Sequence, residues 1–576
     1  MGLVTSGLTA GRNALLSYQG ALQVVGNNVA NAGNVDYTRQ SAELSAVNGT
    51  SIGPGLRPGA GVAITGLKRH VDEALDNRLR ASVGDLQSAI AQRQGIGQIE
   101  VYFNDLTGSG ISSQITDFFN SLSDVQNAPD DLAIRAVAIS NGDALTRTLR
   151  ATRTDIIETS LDFNNEIRRV VKDADRVAAE IAELNTQIVS VEAGGTGQAN
   201  ALRDRRDALI RDLSEVFDVQ VREQPSGAVS VYVGNEPLIQ HGASRGLTTE
   251  DELDGSFERT TVRFADTNAT VNVAGGVIEG IIRARDDQAI AQVAKLDQLA
   301  AGIIAEVNAI HADGQGLRPF TSVVASNVVD DVTAPLNSLE AGLQNLPQNG
   351  SFYISVTDEA TGSPVSYRIE VDLDGQGVDT TLEDIVTAIN TDVAGVNASI
   401  TPDHRLSLNA DAGFAFTFGN DGDSFREDSS KLLAALGINT FFQGSGADDI
   451  AVREELKNDS GFLAAATVNH VGDGNNAGRM SALTNQASDV LNGATIFEYY
   501  NGIANRIAAD GASVQNTLEA AEVITSSLEE QRQSVSGVSL DEEAIGLLKY
   551  ERAFQGAARY VGAVDSLLQE LLGLVR

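Results

Sequence analysis

Two heptad stripes, one at each end of the chain, constrain this sequence more than any other feature. Over the first helix-forming stretch Val4, Leu8, Gly11, Leu15, Tyr18, Leu22, Val25, Val29 and Ala32 recur at alternating spacings of four and three. Near the other end Leu547, Tyr550, Phe554, Ala557, Val561, Val564, Leu568, Leu571 and Val575 do the same. An apolar residue about every 3.5 positions is a narrow seam along one side of an α-helix. Such a seam needs a partner helix. The simplest arrangement is that the two terminal helices pack against each other, with Gly11 the weak member of its stripe.

A third stripe lies inside the chain: Phe163, Ile167, Val170, Ala174, Val177, Ile181, Leu184, Ile188 and Val191, extended backwards by Ser160 and Ile156. Gly194-Gly195 predicts its end. A helix from about Gln198 to Phe217 follows, so the two are expected to form an antiparallel hairpin. Further helical patterns cover about 72–99, 111–127, 128–149, 279–312 and 477–533. Period-two alternation replaces them in two places. Residues 219–233 read as a β-hairpin turning at Pro225-Ser-Gly227. Phe352–Val356, Ser366–Val371, Ala398–Ile400, Leu406–Leu408 and Phe414–Phe418 read as short strands, interrupted by a helix over Leu382–Asn390. Pro319, Pro335, Pro347, Pro364 and Pro402 cluster around these strands, whereas the terminal stripes contain no proline.

The expected fold is mainly α with β-rich parts. Residues 1–40 and 537–576 form a coiled-coil-like terminal domain of paired helices. Residues 41–320 and 461–536 form a long-helix central rod domain with a small β element near 218–275. Residues 321–460 form an inserted β-rich (α+β) outer domain. This nesting puts both chain ends at one pole and the insertion at the other.

Composition narrows the function classes. With 41 basic and 78 acidic residues the net charge is −37, which argues against nucleic acid and against a polybasic membrane anchor. The absence of cysteine excludes disulfides, cysteine-based metal sites and thiol nucleophiles. No apolar run is long enough to insert in a membrane. The N-terminus lacks the charged and apolar regions of a cleaved signal peptide. His70, His241, His311, His404 and His470 stand apart, with no metal-ligand spacing between them. There is no phosphate loop and no nucleophile elbow. Asp372, Asp374, Gln376, Gly377 and Glu383 match the spacing of a calcium loop. However, a strand precedes them, and a turn into the next helix with Thr380 or Thr381 as N-cap explains the same residues. No catalytic, cofactor or metal residue is therefore predicted.

Gly26–Gln40 reads GNNVANAGNVDYTRQ, and Val535–Glu543 reads VSGVSLDEE, followed by LKYERAFQGAAR over Leu548–Arg559. These segments resemble the terminal signatures of bacterial flagellar axial proteins, the rod, hook and hook-associated proteins. Within that family they are most similar to the hook–filament junction members. The motif residues are Asn27, Asn28, Asn31, Tyr37, Arg39, Gln40, Asp541, Glu542 and Glu543. Asp204–Leu213 and Leu436–Gly444 are similar to internal family segments. One departure is Gly33-Asn-Val-Asp36, where the family often has a Pro-Gly-type turn. The resemblance implies a non-enzymatic structural adaptor, joining hook to filament by polymerising through its terminal helices. It implies self-assembly in a helical ring or short tubular zone. Hook protein would lie on one side, and a second junction protein or filament on the other. It also implies an export apparatus with a chaperone, an extracellular location on the flagellum and export without a cleaved signal. The alternatives are another axial protein, hook or distal rod, or a secreted protein with a binding or enzymatic outer domain.

Overall fold

The structure, a computed structural model, describes residues 2–49, 59–104, 108, 110–193, 199–255, 257–421, 424–468, 470 and 472–574. Long helices dominate, and small antiparallel sheets are set between them. The chain divides into two compact units. One comprises residues 1–95, 162–284 and 512–576; the other comprises 96–161 and 285–511.

In the first unit the N-terminal helix Gly2–Ala30 packs against the C-terminal helix Leu540–Leu574. They run antiparallel. Gly7 lies under Tyr560 and Val564, Gly11 under Val561, and Val25 beside Gly546. The weak member of the stripe is thus a point of close approach: a Cβ on Gly11 would stand 2.4 Å from a Val561 methyl. The sequence reading missed a hairpin that covers another side of the N-terminal helix. Its strands, Gln40–Ala46 and Val62–Arg69, pair in the register Gln40 to Arg69 and carry a bulge at Glu43/Leu44. Ser17 Oγ donates to the Val62 carbonyl (2.8 Å), and Asn13 Nδ2 donates to that of Ala60 (2.9 Å). The Ile64 side chain lies over Gly20. The first strand reads QSAELSA, too small and polar to show a clear period of two.

The helix Leu132–Glu192 runs unbroken for 61 residues, where separate segments at 128–149 and 156–191 were expected. It contains no proline, and its single glycine, Gly142, gives a close approach to Phe441 and Phe118. Its later part buries Phe163, Ile167, Val171, Ala174, Ala178, Ile181 and Ile188. Val171 and Ala178 replace the expected Val170 and Val177, which are half-buried, and Val191 is exposed. Ile167, Ala174, Ile181 and Ile188 keep the seven-residue repeat, while the other buried position of each heptad falls one residue later than expected. Gly194-Gly195 lies outside the described residues. The helix Asn200–Val216 follows. Val219–Glu223 and Val229–Val233 then pair in the expected hairpin, with Gly227 at φ +83° in the turn. Glu236–Gln240 and Ala243–Ser244 extend that sheet, and Leu247–Asp254 with Phe257–Phe264 forms a separate ribbon.

In the second unit the helices Ile111–Asn127, Ala291–Ala312 and Asn475–Ala482 pack together. The helix expected over 279–312 contains a π-helical stretch, Ala284–Ile290. The helix expected over 477–533 is interrupted before Ile496–Ser536, where Asn492 and Gly493 take left-handed conformations. The five strands expected between 352 and 418 all form. Gly350–Asp358 pairs with Pro364–Val371 and with Phe414–Phe418. Leu406–Ala410 lies between Val396–Ile400 and Ser322–Val324. Phe352, Ile354, Ile385, Leu408 and Phe416 share one core there. The similar segment Leu436–Gly444 has a structural role. Asn439, at φ +52°, donates to the carbonyls of His311, Ala312 and Gly314, and so closes the end of the helix Ala291–Ala312. Phe441 and Phe442 pack on Phe118.

The loop before the helix Leu382–Asp392 is a turn closed by its own side chains. Thr381 and Asp384 form a capping box. Thr380 Oγ1 accepts from Asp372 N–H, and Asp379 accepts from Gly375 N–H. The carboxylates of Asp372, Asp374 and Asp379 gather at the surface, while Glu383 stands apart in the first helical turn.

Candidate assembly site where the chain ends meet

The site begins with a break between two helices. Helix Ile496–Ser536 stops where Gly537 N–H returns to the Gln533 carbonyl. A Cβ on Gly537 would meet that carbonyl oxygen at 2.4 Å. The C-terminal helix restarts at Leu540, with Ser539 taking the Glu542 N–H. Asp541, Glu542 and Glu543 therefore fall in its first turn, where the helix dipole favours negative charge.

Glu543 is only 3% exposed, and Asn28, near the end of the N-terminal helix, only 1%. They meet although 515 positions separate them: Asn28 Nδ2 donates to Glu543 Oε2 at 3.0 Å. Asn28 Nδ2 also donates to the Gln40 carbonyl (2.8 Å), and Asn28 Oδ1 accepts from Gln40 N–H (3.1 Å) and the Tyr37 hydroxyl (2.7 Å). All four hydrogen-bonding sites of one amide are engaged. Arg39 binds Glu543 through Nε (2.8 Å) and Glu542 through Nη1 (2.6 Å). Its backbone N–H is taken by the Ser536 carbonyl. The buried Glu543 carboxylate is thus held by an amide and a guanidinium, which a buried charge requires. Burial, Asp204 and Glu543 push the Tyr37 phenol up to about 12, which keeps it a neutral donor.

A second layer surrounds this knot. Asn200 Nδ2 donates to Gln40 Oε1 (3.0 Å). Arg69 reaches Thr38, Asp204 and Asp207 from the hairpin. Although burial opposes its charge, Asp207 and Asp204 raise the Arg69 pKa further. Arg211 pairs with Asp36, and Arg532 donates to the Val35 carbonyl. The segment Gly33-Asn-Val-Asp36 is thus fixed from two helices without a Pro-Gly turn. Arg69 and Asn200 were not foreseen, since nothing local marks a hairpin arginine as the partner of Asp204.

Of the other motif residues, Asn27 donates to the Tyr37 hydroxyl (3.4 Å), Asn31 bonds back to Asn27, and Asp541 is exposed. Along the seam Val25 and Val564 are buried. Leu8, Leu15, Tyr18, Leu22, Tyr550, Phe554, Val561 and Leu568 are half-buried, and Val29, Leu547 and Leu571 are exposed. The helices approach closest at glycines, so the larger seam residues are only partly covered within one chain. The Val4 and Val575 side chains lie outside the described residues. Large apolar side chains remain in solvent on both helices: Leu16, Ile545 (68% exposed), Leu548, Leu567 (56%) and Leu572 (57%).

Close contact at Gly11 gives a direct test of this pairing. Gly11→Leu should force the terminal helices apart at a cost of about 1–3 kcal/mol. Hydrogen exchange over 540–574 should accelerate while the rest of the chain keeps its protection. Unchanged exchange there would contradict the pairing.

Three family descriptions match the chain in succession. They are Flagellar hook-associated protein FlgK helical domain over residues 96–321, Flagellin hook IN motif over 351–412, and Flagellar basal body rod FlgEFG protein C-terminal over 529–574. Together with the paired ends, these define an axial protein of the bacterial flagellum. The chain is 26% identical to Flagellar hook-associated protein 1 of Escherichia coli (strain K12), over 98% of both chains. It is 23% identical to the protein of that name from Bacillus subtilis (strain 168), over 98% of this chain and 97% of that one. Its fold is similar to that of the flagellar hook junction protein FlgK from Burkholderia pseudomallei. That match has a TM-score of 0.53 at 18% identity and covers 80% of this chain and 100% of that one. The chain is thus similar, over nearly its whole length, to flagellar hook-associated protein 1 of several bacteria.

Proposed function

We propose that this chain joins hook to filament by polymerising through its paired terminal helices, with residues 321–460 as an outward-facing domain. It is a structural component of the flagellum at the hook–filament junction. The observation that carries the polymerisation reading is the exposure of Leu16, Ile545, Leu548, Leu567 and Leu572 on a helix pair already locked at one end. Large apolar side chains left in solvent on both helices of the pair are available to an assembly contact. The seam residues Leu547, Leu571 and Val29 complete their burial against neighbouring copies. Hook protein lies on one side, and a second junction protein or filament on the other. The subunit is extracellular and reaches its place through the flagellar export apparatus with a chaperone, without a cleaved signal. It performs no catalysis. No helix among the described residues is long and apolar enough to cross a membrane.

The test is made in the strain of origin with its own copy deleted. Deletion should leave hooks without filaments, and the unaltered chain should restore them. Leu567→Asp with Leu572→Asp should export normally yet leave hooks bare, because both positions are exposed in the single chain and buried only in a polymer. Normal filament number from this variant would overturn the polymerisation reading.

A further inference from the structure

A groove of about 1030 Å³ runs along the helix Glu73–Glu100 where the later part of helix Ile496–Ser536 packs on it. Ala89, Ala521 and Ile524 give it apolar walls, while Asp85, Asp218 and Glu279 supply three carboxylates. Arg78 and Arg283 are also in the lining, and Arg283 is paired with Glu279 (2.5 Å). Among the described residues no cation forms an ion pair with Asp85 or Asp218. Burial and the repulsion among these carboxylates hold both above the usual carboxylate range. A cation brought into the groove would relieve that repulsion.

The same unit displays unpaired cations on a different surface. The face of the C-terminal helix turned away from the N-terminal helix carries Ile545, Leu548, Lys549, Arg552 and Arg559, all exposed. Arg552 and Arg559 are seven positions apart and therefore lie one above the other, in line with Ile545. Among the described residues none of Lys549, Arg552 and Arg559 forms an ion pair. An apolar and basic helix face thus stands in solvent on a chain of net charge −37, and the same unit holds an apolar groove with two carboxylates that no cation pairs among the described residues.

We infer that the groove is a docking site for a second copy of this chain: the Ile545–Arg559 face of one copy's C-terminal helix seats in the Asp85/Asp218 groove of its neighbour. Isoleucine and leucine cover the apolar walls, and the arginines meet the two uncompensated carboxylates. The contact joins two different surfaces, so it is heterologous and propagates from copy to copy instead of closing as a two-fold dimer. This rests on the polymerisation reading above and names the surfaces that meet.

Charge reversal tests it in the deletion strain, with filaments per cell counted by electron microscopy and exported subunit measured in the medium. Arg552→Glu with Arg559→Glu should lower filament number roughly tenfold or more, because like charges across an interface cost several kcal/mol. Asp85→Lys with Asp218→Lys should do the same. All four changes on one chain should recover most of the loss, since each copy then offers a reversed face to a reversed groove. If a reversal lowers export, Arg552→Gln with Arg559→Gln replaces it and should still reduce filament number. The inference is overturned if either reversal leaves filament number unchanged, or if the four-fold variant assembles no better than the two-fold ones. In either case, unaltered chain that still caps hooks leaves the junction function standing. Filaments in the deletion strain itself would instead remove that function.

Discussion

Asn28→Leu should release both chain ends while leaving the body folded. The substitution removes an amide that satisfies the Gln40 N–H and carbonyl, the Tyr37 hydroxyl and the Glu543 carboxylate. The Gln40 N–H and carbonyl lose this partner in a buried place, and the Glu543 carboxylate keeps only Arg39. Breaking a buried charged network from one side typically costs about 3–5 kcal/mol. The helix pair around it is held by few buried apolar groups and by glycine contacts, so its own stability cannot absorb such a loss. Hydrogen exchange should show near-complete loss of protection over residues 5–30 and 540–574, with the helix part 156–191 unchanged. Filaments should be absent. Arg39→Ala should act in the same direction more weakly, because Asn28 still holds Glu543. Retained protection of both termini in Asn28→Leu would show that the seam alone is sufficient.

The second large effect concerns acid. His311 is fully buried: its Nδ1–H donates to the Asn439 carbonyl (2.7 Å), and Nε2 accepts from Ala464 N–H (3.0 Å). Burial pushes its pKa down to about 4. Unfolded, it takes a proton near pH 6.5. Between these values the unfolded chain binds the extra proton, so this group's stabilisation is complete above pH 6.5 and is lost as pH falls to 4. That loss amounts to roughly 3 kcal/mol. Asp313 works in the opposite sense. Burial pushes its carboxyl up to about 7, so the folded chain binds the extra proton between the unfolded value near 3.8 and pH 7. Its contribution grows as pH falls through that window. The two residues therefore offset each other between pH 4 and 6.5. His311→Gln removes one side. Relative to the unaltered chain, the variant should gain roughly 3 kcal/mol on going from pH 7 to pH 4, whatever it loses at neutral pH. Urea unfolding of both proteins at the two pH values measures the difference. Parallel pH profiles would mean that His311 is not held neutral.

The terminal helices, the hairpin at 219–233 and the strands between 352 and 418 were legible because each has one burial face and a period that fits it. The shift from Val170 to Val171 and from Val177 to Ala178 was not, because both members of each pair are apolar and only the packing decides between them. The interruption before Ile496 does carry local marks, the left-handed Asn492-Gly493 and the Thr495/Glu498 cap of the next helix, which a single helical pattern over 477–533 passed over. At the site the motif residues stood out in both terminal segments, yet their geometry did not. Nothing in the local pattern says that Asn28 faces Glu543, or that Arg69 bridges to Asp204. Such pairings depend on how the whole body folds. The hairpin Gln40–Arg69 stayed invisible because its strands are half-buried and rich in small and polar residues.

The junction of Asn28 with Glu543 has a consequence for quality control. Its two halves lie 515 positions apart in the chain. Bringing such distant groups together in a chain without a folded body would cost roughly 5 kcal/mol of loop-closure entropy. The knot therefore closes only when the body has folded and the final helix is present. A copy cut short before Glu543 or misfolded in the middle keeps its N-terminal stripe but cannot lock it. Such a copy lacks the locked helix pair on which the proposed polymerisation depends.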